Sequence, residues 1–315
     1  MRPALALLSC LLATLCAAGV FAFADEEAAA EARVRDGADL GKRLSAGPVV
    51  IRGKVVDDSI KATVEIEKVY RAPGELPRRI EIAYRGVNAS RRRGMPRFEV
   101  VSGEEAVFVL ERWTDYYGEL GDEDLYRPAW DYRSRIPIPP EGRQAMLEAV
   151  DALVEFKDSE GRERAEEELR SWLGGRNPWL IEAALAHVAV YGPPDGSWTR
   201  ALVEHAQSPD PERRRLALVA MGLGLSRGRL GDSEGTDGSQ GLETRQDALD
   251  QRELCRRALI QAARTDAEPE VRRTAVRALG RSGLEDVRSV LEVIASSDEN
   301  QEVRYEAETL LLERR

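Results

Sequence analysis

Two periods divide this chain. Between Pro48 and Trp113 apolar residues tend to fall on every second position; from Glu141 onward they recur every three or four. The first pattern is that of strands on a pleated sheet, the second that of amphipathic helices. Pro48–Val56 (PVVIRGKVV) predicts a first strand. Lys61–Arg71 sets Val64 and Ile66 against Glu65 and Glu67, and Arg78–Arg85 sets Ile80, Ile82 and Tyr84 against Glu81, Ala83 and Arg85. Glu105–Trp113 (EAVFVLERW) is apolar at odd and even positions alike, which predicts a strand covered on both sides. Turn residues separate these runs at Asp57-Asp58-Ser59, Ala72-Pro73-Gly74-Glu75 and Ser102-Gly103-Glu104. The elements predict a small antiparallel β-barrel or sandwich over residues 47–139, with the aromatic stretch Asp115–Pro140 as a further hairpin closing it.

In the helical half a short phrase returns in phase. Pro269-Glu270-Val271-Arg272-Arg273-Thr274-Ala275 reappears 32 residues later as Gln301-Glu302-Val303-Arg304-Tyr305-Glu306-Ala307. Pro178-Trp179-Leu180-Ile181-Glu182-Ala183-Ala184 precedes Pro211-Glu212-Arg213-Arg214-Arg215-Leu216-Ala217 by 33. Each copy opens a predicted helix. Apolar stripes such as Leu284, Val287, Val290, Leu291 and Ile294 predict a second helix between copies. A fixed period built from helix pairs marks a solenoid, whose units bury their faces only by stacking. From Pro211 to Pro269 the spacing is one period plus about 25 residues, assigned to an inserted loop at about 226–244. The fold class is therefore α+β and multidomain: residues 1–24 as a leader, 25–46 as a linker or short helix, 47–139 as the β-domain, and 141–315 as four to five helical units.

The phrase Asp-x-x-Pro-Glu-Val-Arg-Arg-x-Ala at Asp266–Ala275 resembles the short bacterial HEAT repeats, the type also found in phycobilin lyases. The resemblance implies an α-α superhelix that binds a protein partner, with a lyase-type enzyme as a rival by analogy. The order strand, GKVV, turn, VEIEKVY, strand, SGEEAVFVL resembles the netrin-like and tissue-inhibitor class of OB-type barrels over about seventy residues. That likeness implies a ligand-binding or protease-inhibitor module. Inhibitors of the class act through an amino-terminal cysteine, and residues 47–139 contain none, so this route is not carried over.

Charge and composition narrow the options. A net charge of −10 argues against a dedicated nucleic-acid binder, which needs a basic footprint, and a 43% apolar content argues for a packed core. Arg2 followed by the apolar run Ala4–Phe23 and the small-x-small site Ala22-Phe23-Ala24 predicts a cleaved signal peptide, hence a periplasmic or extracellular protein. The alternative is a membrane anchor through residues 4–23. Cys10 and Cys16 lie in this leader, leaving Cys255 on an apolar stripe with Leu254, Ala258 and Leu259 as a buried, inert thiol.

Arg214, Arg272 and Arg304 share one phase of the repeat, with Asp210, Asp266 and Asp298 in the preceding turns. They read as a ladder to acidic or carbonyl groups of neighbouring repeats, the rival being a basic stripe for an acidic partner. The second helices, near 160–173, 195–208, 245–264 and 284–297, are expected to line the concave face. Their candidate partner contacts are Arg162, Arg200, Glu204, Arg256, Arg288 and Glu292. Asp232, Glu234, Thr236 and Glu243 approximate a calcium loop, but Asp237 occupies the sharp-turn position, so a solvated loop is expected. Asn88-Ala89-Ser90 is a glycosylation sequon beside the basic Arg91-Arg92-Arg93. No G-x-S-x-G, H-E-x-x-H or phosphate-cradling motif is present, and His187 and His205 read as half-buried helix residues. No catalysis, cofactor or metal is expected.

Overall fold

A computed structural model describes residues 40–58, 61–83, 98–113, 125–129, 131–158, 162–230, 242–284 and 286–313. The expected leader, the sequon with its three arginines, and most of the calcium-like loop lie outside the described residues.

The alternating half forms six strands: β1 (Val49–Asp57), β2 (Ala62–Arg71), β3 (Arg79–Ile82), β4 (Glu105–Arg112), β5 (Leu125–Pro128) and β6 (Arg135–Pro137). Five of them close in the order β1-β2-β3-β5-β4, because β4 returns to β1 from Val49↔Leu110 to Lys54↔Glu105. The β3–β5 pair is parallel, through Glu81↔Leu125 and Ile82↔Tyr126, and the remaining pairs are antiparallel. This is a five-stranded closed barrel of OB type. β1 bulges at Arg52/Gly53, where a Cβ on Gly53 would meet Val64 Cγ1 at 2.5 Å and the Glu65 carbonyl at 2.8 Å; only glycine fits that approach. The expected hairpin in 115–140 is corrected over its described part. β5 and β6 lie end to end on one edge of β4, joined by a 3₁₀ turn over Asp131–Ser134. With β1 on its other edge, β4 has one edge left, and the two short segments divide it.

β4 is indeed covered on both sides. Ala106, Phe108 and Leu110 point into the barrel with Ile51, Val64 and Ile80, whereas Val107 and Val109 face outward with Val50 and Ile136. That outer wall is covered by Met146, Val150 and Leu153 of helix α1 (Arg143–Asp158) and by Leu40 and Leu44. The segment 25–46, expected as a linker or short helix, is described only from residue 40. Residues 40–44 form a helical turn, the two leucines four apart share its buried face, and Arg43 donates to the carbonyls of Arg133 (2.9 Å) and Arg135 (2.8 Å).

The helical half continues with α2 (Arg162–Leu173), α3 (Pro178–Tyr191), α4 (Thr199–His205), α5 (Pro211–Ser226), α6 (Leu242–Thr265), α7 (Pro269–Arg281), α8 (Val287–Ser297) and α9 (Gln301–Glu313). The four copies of the phrase begin α3, α5, α7 and α9. Proline suits such starts because its missing N–H would have no partner in the first turn. Side-chain caps satisfy other free N–H groups: Asn177 accepts from Trp179 and Leu180, Asp210 from Glu212, and Asn300 from Glu302 and Val303. One apolar core runs from Leu169 to Leu310 along the stack. α1 belongs to both parts. It covers the barrel wall, shares its cluster with Ala183 of α3, and accepts at the Ala145 carbonyl from Asn177 Nδ2 (2.7 Å).

Candidate protein-binding face

The ladder arginines occupy a repeating internal geometry. Arg214 Nε and Nη2 donate to the two carboxylate oxygens of Asp266 at 2.8 and 2.9 Å, while its Nη1 donates to the carbonyls of Ser208 and Pro209. Arg272 repeats the fork onto Asp298, both bonds 3.0 Å, with Nη1 on the carbonyls of Asp266 and Ala267. Each arginine therefore ties its own preceding loop to the loop of the next unit. The aspartates also accept the N–H of Glu268 and of Asn300. Arg272 is only 4% exposed, and its hydrogen bonds to Asp298 raise its pKa further above the ordinary guanidinium value. Arg304 bonds the carbonyls of Asp298 and Glu299. Asp210 caps α5 and lies near Arg213 (3.6 Å).

Between α3 and α5 the rung differs. Ile181 stands at the arginine position, and its neighbour Glu182 is buried, 3.3 Å from Arg213. Burial pushes the Glu182 carboxyl up to about 7, outweighing the downward pull of Arg213.

The phrase helices form the closer-packed layer. A Cβ on Gly222 of α5 would sit 2.7 Å from Ala278 Cβ of α7, and one on Gly280 of α7 would sit 2.6 Å from Leu310 of α9. α4, α6 and α8 approach one another much less. In a curved stack the layer with closer helices is the inner one. The concave side thus belongs to α3, α5, α7 and α9, which corrects its expected assignment to the second helices. Small residues at 222, 278 and 280 set this curvature.

The sequence candidates consequently lie on the outer layer. Arg200 and Glu204 are exposed on α4, and Arg288 and Glu292 are exposed on α8, 3.9 Å apart. Arg256 bonds Glu253 within α6 and Asp286 before α8 (2.7 Å), so it serves as an inter-repeat tie. Arg162 opens α2, and its side chain lies outside the described set. Among the described residues, Arg200 and Glu204 lie on α4, Arg256 on α6, and Arg288 and Glu292 on α8.

The inner layer carries a row that the sequence reading missed. Along α7, Arg273, Arg277 and Arg281 follow one face. Arg273 reaches Glu302 (2.6 Å) and Glu270 (2.8 Å), and Arg277 forks onto Glu306 at 2.9 and 2.6 Å. Arg281 is exposed at the end of the row. On α5, Arg215 forks onto Glu212. The signal was present as two arginines four apart and, 29 residues later on the next phrase helix, two glutamates four apart.

Two grooves of about 560 and 680 Å³ repeat along the loop edge, the first floored by Arg214 and Asp266, the second by Arg272 and Asp298. Their charged floors are already engaged in the ladder. His187 packs against Phe156 (6.1 Å) and Tyr191 (4.6 Å), and burial lowers its pKa. His205 places Nε2 2.9 Å from the Leu173 carbonyl. Cys255 is fully buried, which pushes its thiol up to about 12 and makes it a poor nucleophile. At the barrel–helix seam, a cleft of about 370 Å³ is lined by Lys68, Tyr70, Asp151 and Arg164. Burial and the Asp151 charge push the Tyr70 hydroxyl up to about 12, and Lys68 pairs with Asp151 across the seam.

A closed barrel followed by a helical solenoid is the class that this geometry defines. Within it, the family model for HEAT repeats matches residues 246–311, which span most of α6 and all of α7, α8 and α9 up to Leu311. A comparison with curated proteins finds no match. Among the described residues no helix is long and apolar enough to cross a membrane.

Proposed function

We propose that this chain is an exported, non-catalytic scaffold that binds a protein partner along the inner layer of its repeat stack. The observation that carries this reading is the row Arg273, Arg277 and Arg281, two of whose members are braced by Glu302 and Glu306 of α9. Bracing lowers the entropy lost when a long side chain is fixed at an interface, and arginine is enriched among the residues that dominate binding energy. The export part of the proposal rests on the leader in residues 1–24. Likeness to phycobilin lyases and to netrin-like inhibitors remains fold-level analogy and assigns no activity to these residues.

The test uses the purified protein as bait for extracytoplasmic proteins. A partner retained by wild type and by Arg200→Ala/Arg288→Ala, but weakened at least about tenfold by Arg273→Ala/Arg277→Ala, supports the proposal. Equal retention by both double variants would remove the inner face from it, and turnover of a substrate by wild type would remove the non-catalytic part.

A further inference from the structure

The ladder lies where the phrase helices begin; a different cluster of arginines lies where two of them end. At the end of α3 the Tyr191 carbonyl accepts from two guanidinium groups, Arg227 Nη1 at 2.5 Å and Arg229 Nη1 at 3.1 Å. Both arginines sit in the turn that closes α5. Gly228 takes a left-handed φ of 66°, its N–H bonds the Leu225 carbonyl, and the Arg229 N–H bonds the Gly224 carbonyl at 2.9 Å. That pair of bonds is a Schellman cap, which fixes the backbone on both sides of the glycine. Leu230 is fully buried and anchors the turn: a Cβ on Gly224 would come within 2.6 Å of both Leu230 and Pro193. The bare Gly192 lies against the two side chains, its Cβ position 3.4 and 3.5 Å from their Nη1 atoms.

Two like charges therefore converge on one oxygen. The C-terminal end of a helix carries about half a negative charge, so a positive surplus of about one and a half remains. Among the described residues neither arginine is paired with a carboxylate, unlike Arg214, Arg256, Arg272 and Arg277. Each gives one N–H to Tyr191 and keeps its other donors. In the same last turn α3 exposes Val190 (64%) and Tyr191 (61%), and the Tyr191 ring is steadied by His187 at 4.6 Å. We propose that Arg227 and Arg229 bind a carboxylate of an acidic segment in the protein partner, with an apolar residue next to that carboxylate resting on Val190 and Tyr191. A single carboxylate matches the surplus charge, and the guanidinium fork fits its two oxygens. A free inorganic anion would leave the exposed apolar pair uncovered. The site rests on the reading of the chain as a protein binder, but not on the row Arg273, Arg277 and Arg281.

The test titrates the protein with the peptide acetyl-Leu-Glu-Leu-Glu-amide and follows the backbone amide resonances of Val190, Tyr191 and Gly192 by nuclear magnetic resonance. They are expected to shift and saturate, and the analogue with glutamine for glutamate to leave them in place. Arg227→Gln/Arg229→Gln keeps a donor for the Tyr191 carbonyl and removes both charges. It is expected to raise the half-saturating concentration at least about tenfold, the loss of one charge-assisted hydrogen bond or more. Arg227→Lys/Arg229→Lys keeps the charges without the fork and should fall between, and Arg200→Ala/Arg288→Ala should match wild type. Thermal unfolding of each variant checks that the turn still folds. Amides that do not move with the glutamate peptide, that move equally with the glutamine peptide, or that saturate alike in the Arg227→Gln/Arg229→Gln variant would each overturn the proposal. Saturation by inorganic sulfate below the peptide's concentration would also overturn it, in favour of a free oxyanion. Arg273 and Arg277 are intact in every arm, so failure here leaves the inner row standing, and failure of the inner row leaves this site standing.

Discussion

In the barrel, backbone hydrogen bonds run around the ring until β4 meets β1, so the structure uses up its own edges. In the helical stack, among the described residues, each unit satisfies its backbone internally and is joined to the next by side chains: apolar contacts from Leu169 to Leu310, the forks of Arg214 and Arg272, and pairs such as Arg277–Glu306 and Arg256–Asp286. A closed ring has a fixed size and no free face. A stack is joined piece by piece and always has an end. The same chain thus holds one part whose integrity is topological and another whose integrity depends on a few buried side-chain pairs.

That contrast makes the stack more vulnerable to single substitutions at its rungs. Arg272→Ala leaves Asp298 buried without its partner, and losing one member of a buried pair costs about 3–5 kcal/mol. Chemical denaturation followed by intrinsic fluorescence and by far-ultraviolet dichroism should show the helical signal lost first while the barrel holds. Simultaneous loss of both would mean that the two parts share one cooperative transition through α1.

The rung between α3 and α5 sharpens the comparison through pH. Glu182 titrates at about 7 in the folded chain, above its ordinary 4.5. A raised carboxyl favours the folded state below 4.5, and that advantage disappears as pH rises through 7. Glu182→Gln should therefore be more stable than wild type at pH 8 by about 3 kcal/mol, a gap that closes towards pH 4.5. Melting temperatures across that range measure it, and a constant gap would locate the effect elsewhere.

Gly222→Ala probes the close layer. Its new methyl would press on Ala278 Cβ and Cα at 2.7 and 2.9 Å, and overpacking of this kind costs about 1–3 kcal/mol. At the small end, Arg288→Ala removes an exposed pair 3.9 Å apart and should change the melting temperature little, because such pairs contribute under about 1 kcal/mol.

Much of this was legible in the residues. EAVFVLER announced its two covered faces, and Ala106/Phe108/Leu110 and Val107/Val109 divide between two clusters. The in-phase phrase located four helix starts, because proline and the apolar periodicity act locally. Strand partners were not legible: the parallel β3–β5 seam joins segments some forty residues apart, and no local period encodes that choice. The stripe Met146, Val150, Leu153, Val154 predicted a helix, but not that it would lie against the barrel. The candidate face was misread for a related reason. Which layer is inner depends on how closely two helices approach, and that is decided by the absence of side chain at Gly222 and Gly280, which hydropathy cannot register.

The helix α1 serves as a common wall, its apolar side shared between Val107 and Val109 of the barrel and Ala183 of the stack. A sheet surface therefore seals the first unit, and the array is anchored like a shelf fixed at one bracket. Loss of α1 would strip the barrel wall of its cover, whereas a change further along the stack leaves that wall sealed. The barrel wall is thereby the fixed support on which the described units stand.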